Sequence, residues 1–284
     1  MAKNKLYFIG YGHMAEAIYQ RLDKSSHKNI FLIEKDEDRR IYIDKKKHGK
    51  TQLLKSLDGI KFCNSDIIIL AVKPNQIKSI CNKINPLIIE KKDLPLVISI
   101  AAGVTTTAIK NYIIQDNLIH LQNFLSIFRA MPNLCAINGD GITGLFGSSV
   151  QDKVNSKNTV SKIFNSVGEI LWVKKESDLN IVTAISGSGP AYIFYIMEAM
   201  IKSAQELGLS EEDAKKLVAM TVIGSGKMGL NIKDLKGEIF KVSSKGGTTE
   251  AALHIFDKEN LHLIFNQAIK AAHNKSEEIS QGNE

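Results

Sequence analysis

Apolar residues come in short unbroken runs through the first half of the chain, separated by stretches with helical spacing. Leu6–Ile9, Ile30–Ile33, Ile67–Val72 and Leu96–Ile100 read as strands. Aliphatic runs without polar alternation are expected of strands buried on both faces, as in a parallel sheet. Between them, Met14–Leu22, Gln76–Ile89 and Thr106–Ile114 read as helices. Strands alternating with helices predict right-handed βαβ units. Phe124–Ala130, Gly141–Leu145 and Glu169–Val173 extend the sheet, with a helix over Val154–Ser166 before the last of them.

After Trp172 the strand signals stop and helical periodicity takes over. A helical pattern begins at Asp178–Ile185 and is interrupted by Ser186-Gly187-Ser188-Gly189-Pro190. Pro190 then opens a long helix that can end at Gly208, the usual placing of Pro and Gly at helix termini. Ser210-Glu211-Glu212-Asp213 resembles a capping box for a helix running to about Gly229. Thr249–Ile255 and Leu261–Ser280 complete the set. The pattern predicts an α/β domain over residues 1–175 and an all-α domain over residues 176–284.

Composition adds limits. With 284 residues and 44% hydrophobic content the chain can bury a core, which excludes wholesale disorder. Its 20 Gly, 5 Pro and 3 Cys exclude collagen-like and disulfide-scaffold classes. Cys63, Cys81 and Cys135 are far apart and form no C-x-x-C pair, so neither a metal site nor a disulfide framework is expected. The net charge of +7 comes almost wholly from Lys; the arginines are Arg21, Arg39, Arg40 and Arg129. Phosphate and base reading prefer Arg, so no nucleic-acid partner is expected. The run Lys45, Lys46, Lys47 and Lys50 reads as solvated surface. The basic, then apolar N-terminus is broken by Gly10, Gly12, His13 and Glu16, which argues against a leader peptide. No uninterrupted apolar stretch approaches the ~18 residues that span a bilayer. A cytoplasmic protein without a membrane partner is the expectation.

Leu6-Tyr7-Phe8-Ile9 runs straight into Gly10-Tyr11-Gly12-His13-Met14-Ala15. This is G-x-G-x-x-A between a strand and a helix. The first Gly permits a tight turn, the second lets backbone approach a pyrophosphate, and Ala15 lets helix and strand pack closely. The pyrophosphate would lie at the helix N-terminus, where N–H groups are free. The α/β domain is therefore expected to be a Rossmann dinucleotide-binding domain. Glu34 ends the second strand about 20 residues beyond the glycines, where an acidic side chain accepts bonds from the adenosine ribose. That favours NADH over NADPH, although Lys35, Arg39 and Arg40 come next and could hold a 2′-phosphate. Ala71-Val72-Lys73-Pro74 ends another strand, at the edge where open parallel sheets bind ligands.

A carbonyl reductase would need a nearby proton donor. Of the seven histidines, only His13 lies in a motif, and there it would face the cofactor. No Ser/His/Asp order, H-E-x-x-H or carboxylate pair stands out. A cyclic imine needs no strong acid, because its iminium form accepts hydride directly. Ser243-Ser244-Lys245-Gly246-Gly247-Thr248-Thr249-Glu250 opens a helix, with a Thr expected as its cap and Glu250 in its first turn. Such a turn can form an anion nest for a carboxylate.

Taken together, these residues resemble the pyrroline-5-carboxylate reductases over nearly the whole chain. The carrying segments are Phe8–Ile18, Ala71–Pro74, Ile98–Thr105, Phe128–Asn133, Ser186–Tyr192, Gly224–Met228 and Ser243–Leu253, in the family's order. The resemblance implies reduction of 1-pyrroline-5-carboxylate to proline by NADPH or NADH. It implies a helical domain that interlocks with a second copy, a homodimer at least, and in many relatives a decamer of five dimers. It places Gly10, Gly12, His13 and Met14 on the pyrophosphate. Ala71, Val72, Lys73 and Pro74 line the cofactor, with Ala101 and Ala102 near it, and Met131, Pro132 and Asn133 border the nicotinamide. Ser244, Lys245, Gly246, Gly247, Thr248 and Thr249 bind the substrate carboxylate, and the Thr249 hydroxyl faces the ring nitrogen as the candidate catalytic group. The chain departs from the family pattern at His13 (usually Asn), Leu134-Cys135 (Thr-Pro), Lys245 (Pro) and Asp234–Glu238.

Three other readings stay open on residues alone, the first of them an imine reductase acting on another cyclic substrate. A β-hydroxyacid dehydrogenase shares the two-domain plan but relies on a helical-domain Lys, for which Lys202, Lys215 and Lys216 are available. A nucleotide-sensing module would keep the Gly10–Ala15 turn and have no need of the Gly246–Thr249 nest.

Overall fold

The computed structural model describes residues 4–47, 49, 51–63, 66–88, 94–115, 121, 124–148 and 153–282. His48, Lys50, Ile89 and His120 lie outside the described residues. The chain divides into two compact units, Met1–Gly187 with Ala272–Glu284, and Ser188–Ala271.

The first unit is built on eight strands: β1 (Asn4–Ile9), β2 (His27–Ile33), β3 (Thr51–Leu54), β4 (Ile67–Leu70), β5 (Leu96–Ser99), β6 (Ile127–Met131), β7 (Gly141–Ser148) and β8 (Gly168–Trp172). They form one sheet in the order β3-β2-β1-β4-β5-β6-β7-β8. Its helices are α1 (His13–Arg21), α2 (Glu37–Lys46), α3 (Ile77–Ile84), α4 (Thr106–Ile113), α5 (Lys153–Asn165) and α6 (Asp178–Val182). Neighbouring strands are parallel except β6 and β7, which run antiparallel. The connection from β6 to β7 carries no α-helix, and a parallel return would need a longer crossover. The order reverses at β1, because β2 and β3 extend to one side and β4 onward to the other. The crevice beside such a reversal is the general ligand site of open α/β sheets.

Both faces of the sheet are covered, which is why its strands read as unbroken apolar runs. On one face Tyr7, Ile9, Ile68, Leu70 and Val97 pack with Ile77, Cys81 and Ile84 of α3 and Ile109 and Ile113 of α4. On the other, Leu6, Phe8, Ile67, Ile69 and Phe128 pack with Ala15 and Ile18 of α1 and Ile163 and Phe164 of α5. Each Leu, Ile, Val or Phe among them contributes about 1.5–3 kcal/mol by burial.

The expected boundary near residue 175 and the compact units differ, for a packing reason. Leu179 and Ala184 are buried in the first unit. A Cβ on Gly144 of β7 would lie 2.7 Å from the Val182 side chain, so α6 sits tightly against the sheet. The last turns of the C-terminal helix also return to this unit. There the Ser276 hydroxyl donates to Asn180 Oδ1 at 2.9 Å. The side chain of Ile279 fills the space a Cβ on Gly103 would need.

The glycine- and serine-rich break after α6 is a π-helical turn, Thr183–Gly187. The Thr183 and Ser186 hydroxyls donate to the carbonyls of Leu179 and Val182, four residues back. The second unit continues as α7 (Gly189–Glu206), α8 (Glu211–Gly229), α9 (Leu235–Val242), α10 (Thr248–Lys258) and most of α11 (Leu261–Gln281). Gly208 has φ +103 just past α7, and the Ser210 hydroxyl accepts from the Asp213 N–H to start α8, as the sequence pattern suggests. Among the described residues of this unit, only Ala214 and Val218 are buried apolar side chains. Phe194, Tyr195, Leu230, Phe240, Phe256 and Ile264 all stand half or more exposed. Asp178–Glu206, counted through the π turn, is long and apolar enough by length and composition to cross a membrane, although no uninterrupted apolar run within it reaches that length.

Gly147 of β7 faces Phe128 of β6 across the antiparallel ladder, and a Cβ there would come within 2.0 Å of the ring. Gly147→Val is expected to cost about 1–3 kcal/mol through overpacking, read as a shift of the urea unfolding midpoint.

Candidate active site

The turn after β1 is shaped by lack of space. Gly10 has φ +86, and a Cβ on it would lie 2.6 Å from the Ala71 carbonyl oxygen and 2.7 Å from a Val72 methyl. Only glycine fits, since both the conformation and the close approach of β1 and β4 exclude a side chain. Backbone bonds continue the ladder past the strands here, from the Gly10 N–H to the Ile33 carbonyl and from the Ala71 N–H to the Ile9 carbonyl, each 2.8 Å.

Gly12 answers a different demand. A Cβ on it would meet nothing within 4 Å, so the missing side chain leaves the front of α1 clear. Gly12 is the N-cap of α1 and offers no side-chain cap. Among the described residues, the N–H groups of His13, Met14 and Ala15 therefore have no protein partner, as an anion site requires.

Tyr11, between the two glycines, is pinned at both peptide groups. Its N–H donates to Glu34 Oε2 at 3.0 Å, and its carbonyl accepts from Arg39 Nε at 2.9 Å. Arg39 also donates to Glu16 Oε2 at 2.7 Å, and the Tyr42 hydroxyl donates to Glu16 Oε1 at 2.8 Å. Burial alone would push the Glu16 carboxyl up. The hydrogen bonds from Tyr42 and Arg39 and the charges of Arg39 and Lys46 outweigh it and hold the group below the usual carboxylate range.

A cavity of about 1110 Å³ opens at this switch point. Its walls include Gly10, Gly12, Glu34, Lys35, Ala71, Val72 and Lys73 of the sequence-predicted set, with Tyr11 between the two glycines. Lys55 and Ser56, beyond the end of β3, also line it and were not expected, because β3 itself was not. His13, Met14, Pro74, Ala101, Ala102, Met131, Pro132 and Asn133 are not among its walls. Ala101 and Ala102 come after β5, and Met131–Asn133 close β6, at the same carboxyl edge of the sheet. The Asn133 side chain is buried, and its Oδ1 accepts from the N–H of Ile142, the second residue of β7. Arg39 and Arg40 do not reach the cavity as free cations. Arg39 is tied to Tyr11 and Glu16, and Arg40 donates to the carbonyls of Glu34 and Lys35.

The second predicted cluster lies in the helical unit. Gly246 has φ +73, and Gly247, not a threonine, is the N-cap of α10, with no side-chain cap. Thr248 and Thr249 are instead the first two helical residues, because the tight turn ends one residue earlier. Glu250 reaches back to accept from the Gly246 N–H at 2.6 Å, and the Gly247 N–H donates to the Ser244 carbonyl. Among the described residues, the N–H groups of Thr248, Thr249 and Glu250 have no protein partner. With the helix dipole they form an anion-binding end, flanked by the exposed Lys245. Among the described residues, no group of three His, Cys, Asp or Glu is placed to hold a metal ion.

Comparison with known proteins identifies the family. Residues 5–103 match a family described as NADP oxidoreductase, coenzyme F420-dependent, and residues 176–279 match pyrroline-5-carboxylate reductase dimerisation. A pyrroline-5-carboxylate reductase of Pasteurella multocida is 32% identical over 285 residues, 99% of each chain. The chain belongs to the pyrroline-5-carboxylate reductase family. The structure of a family member from Coxiella burnetii has 34% identity and a TM-score of 0.82, covering 99% of both chains. One from Plasmodium falciparum, described with NADP bound, has 28% identity and a TM-score of 0.80 over 99% of both. The family's dimerisation segment coincides with the helices whose apolar side chains face outward, and that role accounts for their exposure. This is an oxidoreductase family with a Rossmann-type first unit, as the strand–turn–helix reading suggests.

The two glycines of the turn should separate experimentally. Gly12→Val is expected to leave the melting temperature unchanged and abolish NADH binding, read by fluorescence titration. Gly10→Ala is expected to lose binding and also about 1–3 kcal/mol of stability, since it strains the backbone and crowds β4. Tight NADH binding by Gly12→Val would remove the pyrophosphate assignment.

Proposed function

We propose that this chain reduces 1-pyrroline-5-carboxylate to L-proline, the last step of proline biosynthesis, with NADPH or NADH as cofactor. The observation that carries the reading is the pair of unoccluded helix N-termini, each behind a glycine turn. That of α1 is suited to a pyrophosphate and that of α10 to a small carboxylate.

The open face of Gly12 and the uncapped start of α1 fit the dinucleotide. Gly10, Gly12 and the N–H groups of His13 and Met14 hold the pyrophosphate. Glu34 and Lys35 bind the adenosine ribose, Ala71–Pro74 line the cofactor, Ala101 and Ala102 lie near it, and Met131, Pro132 and Asn133 border the nicotinamide. Bound there, the reduced nicotinamide supplies the hydride.

The chain's own residues do the rest by positioning and electrostatics. The substrate carboxylate docks on the N–H groups of Thr248 and Thr249, with the Ser244 and Thr248 hydroxyls and Lys245 beside it. Gly246 and Gly247 contribute shape, since their N–H groups are already used. The Thr249 hydroxyl orients the iminium nitrogen and holds its proton. The substrate already carries positive charge, so no strong acid is needed.

NADH is proposed as the preferred cofactor. Each Glu34 oxygen accepts one backbone N–H, from Tyr11 and from Asp36, and keeps a lone pair for a ribose hydroxyl. Among the described residues between β2 and β3, Lys35 is the one cation that lines the cavity, where Lys55, Lys73 and Lys83 also lie. The protein is proposed to be cytoplasmic, with a homodimer as its smallest assembly and a decamer as the larger one. Neither nucleic acid nor membrane is a proposed partner.

Purified protein mixed with pyrroline-5-carboxylate should oxidise NADH faster than NADPH at equal concentration, and should not turn over a hydroxyacid with NAD. In the same assay Thr249→Val is expected to lower kcat about 100-fold while NADH affinity stays within about 2-fold. An unchanged kcat would refute the role given to Thr249.

A further inference from the structure

Arg129 sits in the middle of β6, inside a run of apolar residues, and is only 6% exposed. A buried guanidinium needs a counter-charge and hydrogen bonds. It finds them in Glu176, whose Oε1 lies 3.1 Å from Arg129 Nη1. Glu176 precedes α6 and has no part in the binding and hydride-transfer steps assigned to the turn residues.

The same carboxylate closes the start of α4. Its Oε1 accepts from the Thr106 N–H at 2.7 Å, and its Oε2 accepts from the Thr106 hydroxyl at 2.8 Å. Thr105 caps the helix from the other side, accepting from the Ala108 N–H at 3.1 Å. Both oxygens of Glu176 are thus spent on two elements that are far apart in sequence. One is α4, which fixes the end of the turn that contains Ala101 and Ala102. The other is β6, which Glu176 grips two residues ahead of Met131. The end of β6 is the stretch placed at the nicotinamide, and the turn after β5 is placed near the cofactor. Arg39 and Glu16 hold the opposite, phosphate end in a similar way.

We propose that Glu176 is a positioning residue for the reaction: through Thr106 and Arg129 it fixes the β5–α4 turn and the end of β6 against each other. The proposal rests on the reading of the chain as a pyrroline-5-carboxylate reductase. It treats the Arg129–Glu176–Thr106 cluster as a brace for the nicotinamide half, leaving the adenosine half unaffected. A loss of the brace therefore moves turnover more than cofactor affinity, because the residues proposed for the pyrophosphate and ribose lie beside α1 and the end of β2, away from the brace. A merely structural role would lower the folded fraction and leave the kinetics of the folded molecules alone.

The test is steady-state kinetics of the full chain with NADH and pyrroline-5-carboxylate, normalised to folded protein from thermal unfolding. Glu176→Ala is expected to lower kcat about 10-fold with KM for NADH within about 2-fold of wild type. Glu176→Gln keeps an acceptor for Thr106, and should recover kcat to within about 3-fold of wild type. Thr106→Val removes one donor and should lower kcat in the same direction. If Glu176→Ala does not fold, the Gln and Val variants carry the comparison. Wild-type kcat in the folded variants overturns the proposal, as does a rise in KM for NADH equal to the fall in kcat. A wild-type chain that binds NADH without reducing pyrroline-5-carboxylate overturns the functional reading and this proposal with it.

Discussion

The carboxyl ends of β1 and β4 meet so closely that residue 10 has no room for a side chain. This one contact governs the geometry of the dinucleotide turn. The sheet order reverses at these strands, and the crevice opens where the chain leaves both. Gly10 can turn sharply only because it lacks a Cβ, and that turn delivers Gly12 to the front of α1. Tyr11 in between is fixed by Glu34 from β2's end and Arg39 from α2. The proposed phosphate-binding end is thus held by strand packing behind it and polar bonds beside it, before any ligand arrives.

The central strands were legible because burial on both faces forces continuous apolar sequence. Thr51–Leu54 was hidden as an edge strand of four residues, too short to show a pattern. The helix Glu37–Lys46 was hidden as well, since Ile43 is its only buried residue and its surface is charged. Leu235–Val242 likewise has no buried residue to give it a face. The reversed direction of β7 was not legible, because pairing direction depends on what connects the strands.

Local and long-range contacts differed in the same way at the candidate site. Motif residues around Gly10–Gly12 and Ala71–Lys73 come together as expected, since local strand–turn geometry places them. Arg39 and Arg40 looked like phosphate ligands because charge is visible in sequence and its partner is not. Their partners are Glu16 and backbone carbonyls, reached only after folding. Glu176 was missed for the same reason. A signal for it existed: an arginine within the apolar run of β6 demands a buried acid somewhere in the chain.

Glu34 does two jobs with one carboxylate. It holds the N–H groups of Tyr11 and Asp36 and lines the cavity beside Lys35. Redesigning the cofactor choice at this position would therefore also release the glycine turn proposed to hold the dinucleotide. Selectivity and affinity cannot be tuned separately there. A cleaner starting point for changing coenzyme use lies just past the neighbouring strand, at Lys55 and Ser56, which line the cavity and have no part in holding the turn.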